Sequence, residues 1–294
     1  RTNKGNTTVI SQIFGLKKSK PEVTKVHHLG ELLRKGTLTQ IVKECGVDQS
    51  NLLLGETDTT QRRLVSIKRP LALVGPAGSG QIETLKLLTA QYVALGYPVL
   101  FFDCAGDEET KSEFIALASE MKSTWSELYT SVLGGRPRLC ADEDQTIVSL
   151  LEKTNVSSLA YWGAKLGSWE KDCSELEAAS NALFDLIDQR QLLNDADPNY
   201  VPELLVVIAN AYAMESLPGK RFLPDLLKLS RKSKTRFAYE VQDVNKKEME
   251  KSAHTGTFCV YSCAHVDGAN SAEQMEINSL VAGRVRVYKS ATKA

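Results

Sequence analysis

The sequence predicts an α/β fold built on a mostly parallel sheet, and three observations predict it. Short runs such as Leu71–Val74, Val99–Asp103 and Leu204–Ile208 are apolar almost throughout rather than alternating, as strands covered on both faces are. Between them lie longer stretches with apolar residues at helical spacing, so strands and helices alternate along the chain. The third observation is the stretch from Leu71 to Leu88, LALVGPAGSGQIETLKLL, which runs from strand through glycine-rich turn to helix in the layout of a phosphate-binding loop.

From the N-terminus, residues 1–25 are polar, with Lys17, Lys18 and Lys20 before Pro21, and read as a flexible arm or an edge strand. His28 to Glu44 is helical, broken near Gly36, with Thr37 as a cap for a second short helix. Leu52–Gly55 and Leu64–Ile67 flank a polar turn and form a hairpin leading into the strand at Leu71. A helix follows from Ile82 to Leu95 and ends at Gly96 and Pro98. Val99–Asp103 is the next strand, with a carboxylate at its C-terminal end, where open α/β sheets place their ligand crevice. Glu113 to Met121 is a helix. From Ser123 to Tyr200 strand signals fade and helical segments are expected at 147–153, 156–166 and 173–193, so this part reads as an all-α insertion. Strands return at Leu204–Ile208, Arg236–Val241, Thr257–Ser262 and Gly283–Tyr288, with helices at 223–230 and 244–252. The expected division is an N-terminal arm with helices over 1–50, a first α/β part over 51–122, the insertion over 123–200 and a second α/β part over 201–294.

Composition is that of an ordinary globular protein, 42% hydrophobic and 24% charged over 294 residues. No apolar run of membrane-spanning length and no signal-peptide pattern is present. The chain opens on Arg1 rather than methionine, and is expected to be a piece of a longer protein. Six scattered cysteines suggest reduced thiols in a cytosolic compartment. The four histidines form no ligand cluster, and no metal site is expected. Charge is uneven: 13 basic against 6 acidic residues over 1–70, 8 against 20 over 103–203, and 14 against 8 over 219–294. The basic flanks could meet nucleic acid or a membrane surface, and the acidic middle a basic partner.

The loop has the spacing G-x-x-x-x-G-K-[ST], with Gly75 first and Gly80 second, but Gln81 stands in place of the lysine and Ile82 in place of the magnesium-binding hydroxyl. The second element of such a site is an acidic pair at the end of a buried strand, and there Ala209 and Asn210 stand instead. What survives is the backbone cradle from Gly78 through Ser79 and Gly80 to Gln81, at a helix N-terminus able to attract an anion. The alternative is a glycine-rich turn that never meets phosphate.

The order of motifs resembles the FtsK/HerA/TraG group of P-loop ATPases, and most of all the coupling proteins of conjugation and type IV secretion. Leu52–Gly55 is similar to that group's entry strand, and Phe101–Asp107 to its apolar run followed by Asp-Pro-Lys-Gly-Asp, with Cys104 and Ala105 as departures. Leu226–Lys232 resembles a helix ending in Arg-Lys, and Gln242 a glutamine near the γ-phosphate. The resemblance implies a RecA-like P-loop nucleoside triphosphatase fold, with Asp103, Arg231 and Gln242 near the phosphates. It also implies ATP-driven movement of DNA or protein by rings, an activity that Gln81, Ile82, Ala209 and Asn210 place in doubt. The expectation is therefore a catalytically degenerate relative with no catalytic residue and no cofactor. It would serve as a structural or regulatory subunit of a type IV secretion or conjugative transfer assembly, at the cytoplasmic face of the inner membrane. Its partners would be protein subunits, with DNA and oligomerisation possible. An active translocating ATPase using ATP and magnesium through displaced residues such as Lys86 and Asp103 is the first alternative, and a nucleic-acid-binding module the second. The expected partner surface is the acidic insertion, with Tyr161, Trp162 and Trp169 as aromatic anchors.

Overall fold

The computed structural model describes residues 22–34, 38–141, 145–153, 157–165, 169–217, 222–229, 232–245, 255–281 and 283–290. Its strands are β1 (Glu22–Val26), β2 (Asn51–Thr57), β3 (Arg62–Ser66), β4 (Leu71–Val74), β5 (Val99–Asp103), β6 (Thr124–Leu133), β7 (Arg136–Ala141), β8 (Ser158–Gly163), β9 (Leu204–Ala209), β10 (Thr235–Val241), β11 (Asp243–Asn245), β12 (Thr257–Tyr261), β13 (His265–Asp267) and β14 (Arg284–Lys289). The helices are α1 (Leu29–Arg34), α2 (Leu38–Glu44), α3 (Gln81–Ala94), α4 (Glu108–Glu120), α5 (Gln145–Leu151), α6 (Trp169–Ala196), α7 (Tyr212–Glu215), α8 (Phe222–Leu229) and α9 (Ser271–Asn278).

Twelve strands form one mixed sheet in the order β3-β2-β1-β14-β12-β4-β10-β9-β5-β8-β6-β7. The run from β12 to β6 is parallel, while β7 on one side and β14, β1, β2 and β3 on the other pair antiparallel. Strands at the centre of the parallel run are apolar almost throughout because both faces are covered. Successive side chains alternate between the two layers: Phe101 packs with α1–α4, whereas Leu100 and Phe102 pack with α5–α9. The expected hairpin is β2–β3. Of residues 1–25, expected as a flexible arm or an edge strand, the described end forms β1, which lies inside the sheet between β2 and β14. Buried Gln91 of α3 takes the Leu53 N–H on its Oε1 (2.7 Å) and gives its amide to the Leu53 carbonyl (2.8 Å). Those two bonds occupy Leu53 where the β2–β3 register shifts. They tie the helix after the loop to the strand that precedes it.

The all-α insertion is the main correction. Residues 124–163 supply three strands, β6, β7 and β8, that continue the central sheet beyond β5, and the stretch expected to be a helix at 156–166 holds β8. A short apolar run cannot be assigned to strand or helix by periodicity alone. The β-rich composition of Thr124–Leu133 and the Gly134-Gly135 turn were the signals that argued for a hairpin, and the local acidity obscured them. The aromatic anchors are corrected with it: Tyr161 and Trp162 are buried at 2% and 1% exposure. Trp162 stacks on Phe102 with ring centroids 4.3 Å apart and gives its indole N–H to Thr130 Oγ1 at 3.0 Å, so a large ring sits in the core with its polar atom satisfied. For Trp169 the backbone is placed at the start of α6 and the side chain is not described. The helix expected at 244–252 is instead strand β11 over its first two residues, since Val244 and Asn245 pair with Val266 and Asp267 of β13. Its remainder lies outside the described residues, as do Thr37 and the lysines before Pro21.

Candidate phosphate-loop site

The loop sits where the parallel strands end. β4 is flanked by β10 and β12, and Gly75 continues the edge of β10 by giving its N–H to the Val241 carbonyl at 3.0 Å. Gly75 is closely fitted: a Cβ there would lie 2.6 Å from Ser79 Oγ and 3.0 Å from Tyr261 Cβ, so both side chains would have to shift. Gly80 is required by conformation, since its φ of 104° is a left-handed value. Tyr261 of β12 closes the loop from the side and donates its hydroxyl hydrogen to Thr84 Oγ1 in the first turn of α3. The strand, turn and helix expected from the sequence are therefore present. This is an α/β fold on a mixed, mostly parallel sheet, with the glycine turn at the strands' C-terminal ends.

Gln81 does not reach outward as a lysine would. It is 4% exposed, and its side-chain amide gives hydrogen bonds to the Gly75 carbonyl at 2.7 Å and the Val241 carbonyl at 3.4 Å. Its Oε1 accepts the Ser79 hydroxyl at 2.9 Å. The side chain straps the loop from inside and joins its first residue, its fifth and the neighbouring strand. Ile82, at the hydroxyl position, is half-buried against the α1–α4 layer and anchors the helix apolarly. Lys86, the candidate substitute cation, is held by Glu83 (2.9 Å) and Glu113 (3.3 Å). Burial lowers its pKa, the two carboxylates outweigh that, and the ammonium is held above its ordinary value.

The acidic positions form a second cluster. Asp103, Ala209 and Glu240 stand near the C-terminal ends of the neighbouring strands β5, β9 and β10, with Asp103 opposite Ala209. Ala209 is fully buried and offers only a methyl group. Asp103 is fully buried too, and its carboxylate accepts from the N–H groups of Ala105 (3.0 Å) and Asp107 (2.9 Å), the Tyr161 hydroxyl (3.1 Å) and Asn210 Nδ2 (3.5 Å). Its acceptor sites are taken up in forming the turn before α4, whose N-cap is Asp107. Burial first and Asp103 second push the Tyr161 phenol well above its usual range. Asn210 stands at φ 55°. Among the site residues expected near phosphate, Gln242 is exposed just beyond β10, and Arg231 lies outside the described residues.

Sequence reasoning names Gln81 and Tyr161 in other roles and misses Glu240. Gln81 looked like a simple loss, although a buried amide beside a glycine turn has donors and acceptors to place. Tyr161 stands in the sequence as a candidate anchor for a partner, because nothing local shows that β8 lies beside β5. Glu240 carried a signal that was available: a carboxylate inside an otherwise apolar run, Phe237–Val241.

The residues present do not fit magnesium with a nucleoside triphosphate in the usual way. The lysine position is bonded inward, the hydroxyl position is apolar, Ala209 cannot ligate, and Asp103 is already saturated. Among the described residues no group of three or more His, Cys, Asp or Glu could hold a metal ion.

No protein-family model matches the sequence, and no curated protein matches it. Solved structures similar in fold include the pCW3 conjugation coupling protein TcpA in its monomer form with ATPγS. It is 13% identical with a TM-score of 0.47, and the match covers 83% of this chain and 64% of that one. VirB4 of Thermoanaerobacter pseudethanolicus is 10% identical with a TM-score of 0.45, over 83% of this chain and 97% of that one. The genome packaging NTPase B204 from Sulfolobus turreted icosahedral virus 2, in complex with ATPγS, is 9% identical with a TM-score of 0.40, over 78% and 100%. Identities this low leave the site to be read from its own residues.

Proposed function

We propose that this chain is a catalytically degenerate relative of P-loop ATPases, and that it works as a structural or regulatory subunit rather than as a motor. The observation that carries the reading is the inward strap of Gln81 on Gly75, Ser79 and Val241. A loop tied by its own side chain keeps the shape of a phosphate cradle while the groups that would neutralise a triphosphate are absent. Assignment to a type IV secretion or conjugative transfer assembly rests on the order of motifs in the sequence, from Leu52–Gly55 through Phe101–Asp107 to Leu226–Lys232. Protein subunits of that assembly are the partners this reading implies, and its cytoplasmic side is the place. No described helix is long and apolar enough to cross a membrane.

Calorimetric titration with ATP, with and without magnesium, tests the reading. Binding is expected to be very weak and indifferent to magnesium; a micromolar dissociation constant that needs magnesium overturns it. Gln81→Lys with Ile82→Thr is expected to gain nucleotide binding. Hydrolysis is expected only when Ala209→Asp and Asn210→Glu are added. A folded four-residue variant that binds no nucleotide would show that the turn is purely structural.

A further inference from the structure

Alternation along β10 turns Glu240 to the same face as Ala238, which packs in the layer of α1–α4 together with Phe101 and Ala209. The registers of β10 with β9 and of β9 with β5 set Glu240, Ala209 and Asp103 in one row across three strands on that face. The row begins beside Leu73 of β4, two residues before the first glycine of the loop. A carboxylate stands at each end of it, and between them Ala209 ends at a methyl group.

The two carboxylates are not equally satisfied. Asp103 accepts four donors of its own chain. Glu240 is 9% exposed, and its Oε2 has no hydrogen-bond partner among the described residues. On α3 the ammonium of Lys86 is taken by Glu83 and Glu113. The rim of this end of the sheet is acidic as well: Asp107 and Glu108 at the start of α4 and Asp243 just beyond β10 are exposed, against Lys165 beyond β8. A buried acceptor without a donor is a cost to the fold until something supplies the donor. Burial pushes the Glu240 carboxyl up to about 7, as it does to a carboxylate that lacks a compensating charge.

We propose that this row is a receiving site for an arginine of a partner protein, whose guanidinium enters over Ala209 and donates to Glu240 Oε2. The chemistry is the reverse of a phosphate site, since this end of the sheet offers anions and takes a cation. A metal ion fits less well, because among the described residues no group of three or more His, Cys, Asp or Glu could hold one. A guanidinium brings several donors on a planar head that stays charged when desolvated. A long side chain is required, because Glu240 lies two residues before the exposed Gln242, roughly 7 Å along the strand. The inference rests on the reading of the loop as one without nucleotide and names the partner chemistry of that end of the sheet. ATP binding that needs magnesium would overturn that reading, whereas arginine binding is decided by a separate titration.

Calorimetry of the intact protein at about pH 8, where the Glu240 carboxyl is ionised, tests it with two blocked tripeptides. One is Gly-Arg-Gly, and the other carries citrulline, neutral and of like shape, in place of arginine. The arginine peptide is expected to bind at least about tenfold more tightly than the citrulline peptide. Glu240→Gln, which keeps the shape and removes the charge, is expected to lose about tenfold of that affinity. Glu120→Gln, which removes an exposed charge at the C-terminal end of α4, is expected to change it by less than about twofold. Absent binding, or equal binding of the two peptides, overturns the proposal. So does a Glu240→Gln variant that binds the arginine peptide as the intact protein does, or an equal loss in Glu120→Gln. If Glu240→Gln does not fold, hydrogen exchange of the intact protein decides. The arginine peptide is expected to add protection over residues 205–211 and 237–242 and the citrulline peptide to add none; protection that is absent there, or given equally by both, overturns the proposal.

Discussion

Two strand–turn–helix corners lie at the same end of the sheet and are strapped in opposite ways. At β4–α3 the strap is the neutral amide of Gln81, which takes up the carbonyls of Gly75 and Val241 and the hydroxyl of Ser79. At β5–α4 it is the Asp103 carboxylate, which takes up the amides of Ala105 and Asp107. The second corner has its anion built in, supplied by its own chain. The strap of the first corner carries no charge. One corner is thus held by an anion of its own chain, and the other by a neutral amide.

The largest test of this contrast removes what supports the second corner. Replacing residues 123–200 by a short linker takes away β6, β7 and β8 and, with Tyr161, one partner of Asp103. Such a variant is expected to lose its cooperative thermal transition; a variant that melts cooperatively would show that the three strands are dispensable. Next comes Asp103→Ala, which leaves the two turn amides and the Tyr161 hydroxyl without their acceptor. It is expected to cost about 3–5 kcal/mol in chemical denaturation, and a loss under about 1 kcal/mol would mean the carboxylate does not hold the corner.

Gln81→Ala should cost less, about 1–2 kcal/mol, because the bonds lost are neutral. It opens the cradle, so binding of inorganic pyrophosphate measured by calorimetry is expected to tighten relative to the intact chain. Unchanged binding would mean that the strap does not guard the amides. The smallest effect belongs to Asp107, the N-cap of α4, where replacement by alanine is expected to cost about 1 kcal/mol. Hydrogen bonds from Thr110, side chain and backbone, hold its carboxyl below the usual 3.8. The cap's contribution is therefore fully present above that ordinary value and lost as pH falls through the lowered one. Melting curves of the intact chain and Asp107→Ala should converge in strong acid and separate as pH rises; curves that stay apart in acid would show that the charge of the cap plays no part.

Much of the fold and part of the site were legible residue by residue. The alternation of strands and helices, the glycine loop between Val74 and Gln81, and the identities of Gln81, Ile82, Ala209 and Asn210 are all local features: apolar runs, glycines at fixed spacing, and residue types. Relations between distant segments were not legible in that way. Tyr161 serves Asp103 because β8 lies beside β5, which brings together residues 58 positions apart. Gln81 turns inward because Val241, 160 residues away, offers its carbonyl beside that of Gly75. Glu240 stands across Ala209 from Asp103 because β10 is inserted between β4 and β9. One physical reason covers all three. A buried polar group must find its partner wherever the sheet order brings one, and sheet order is set by which apolar faces pack together, a property no local window of sequence contains.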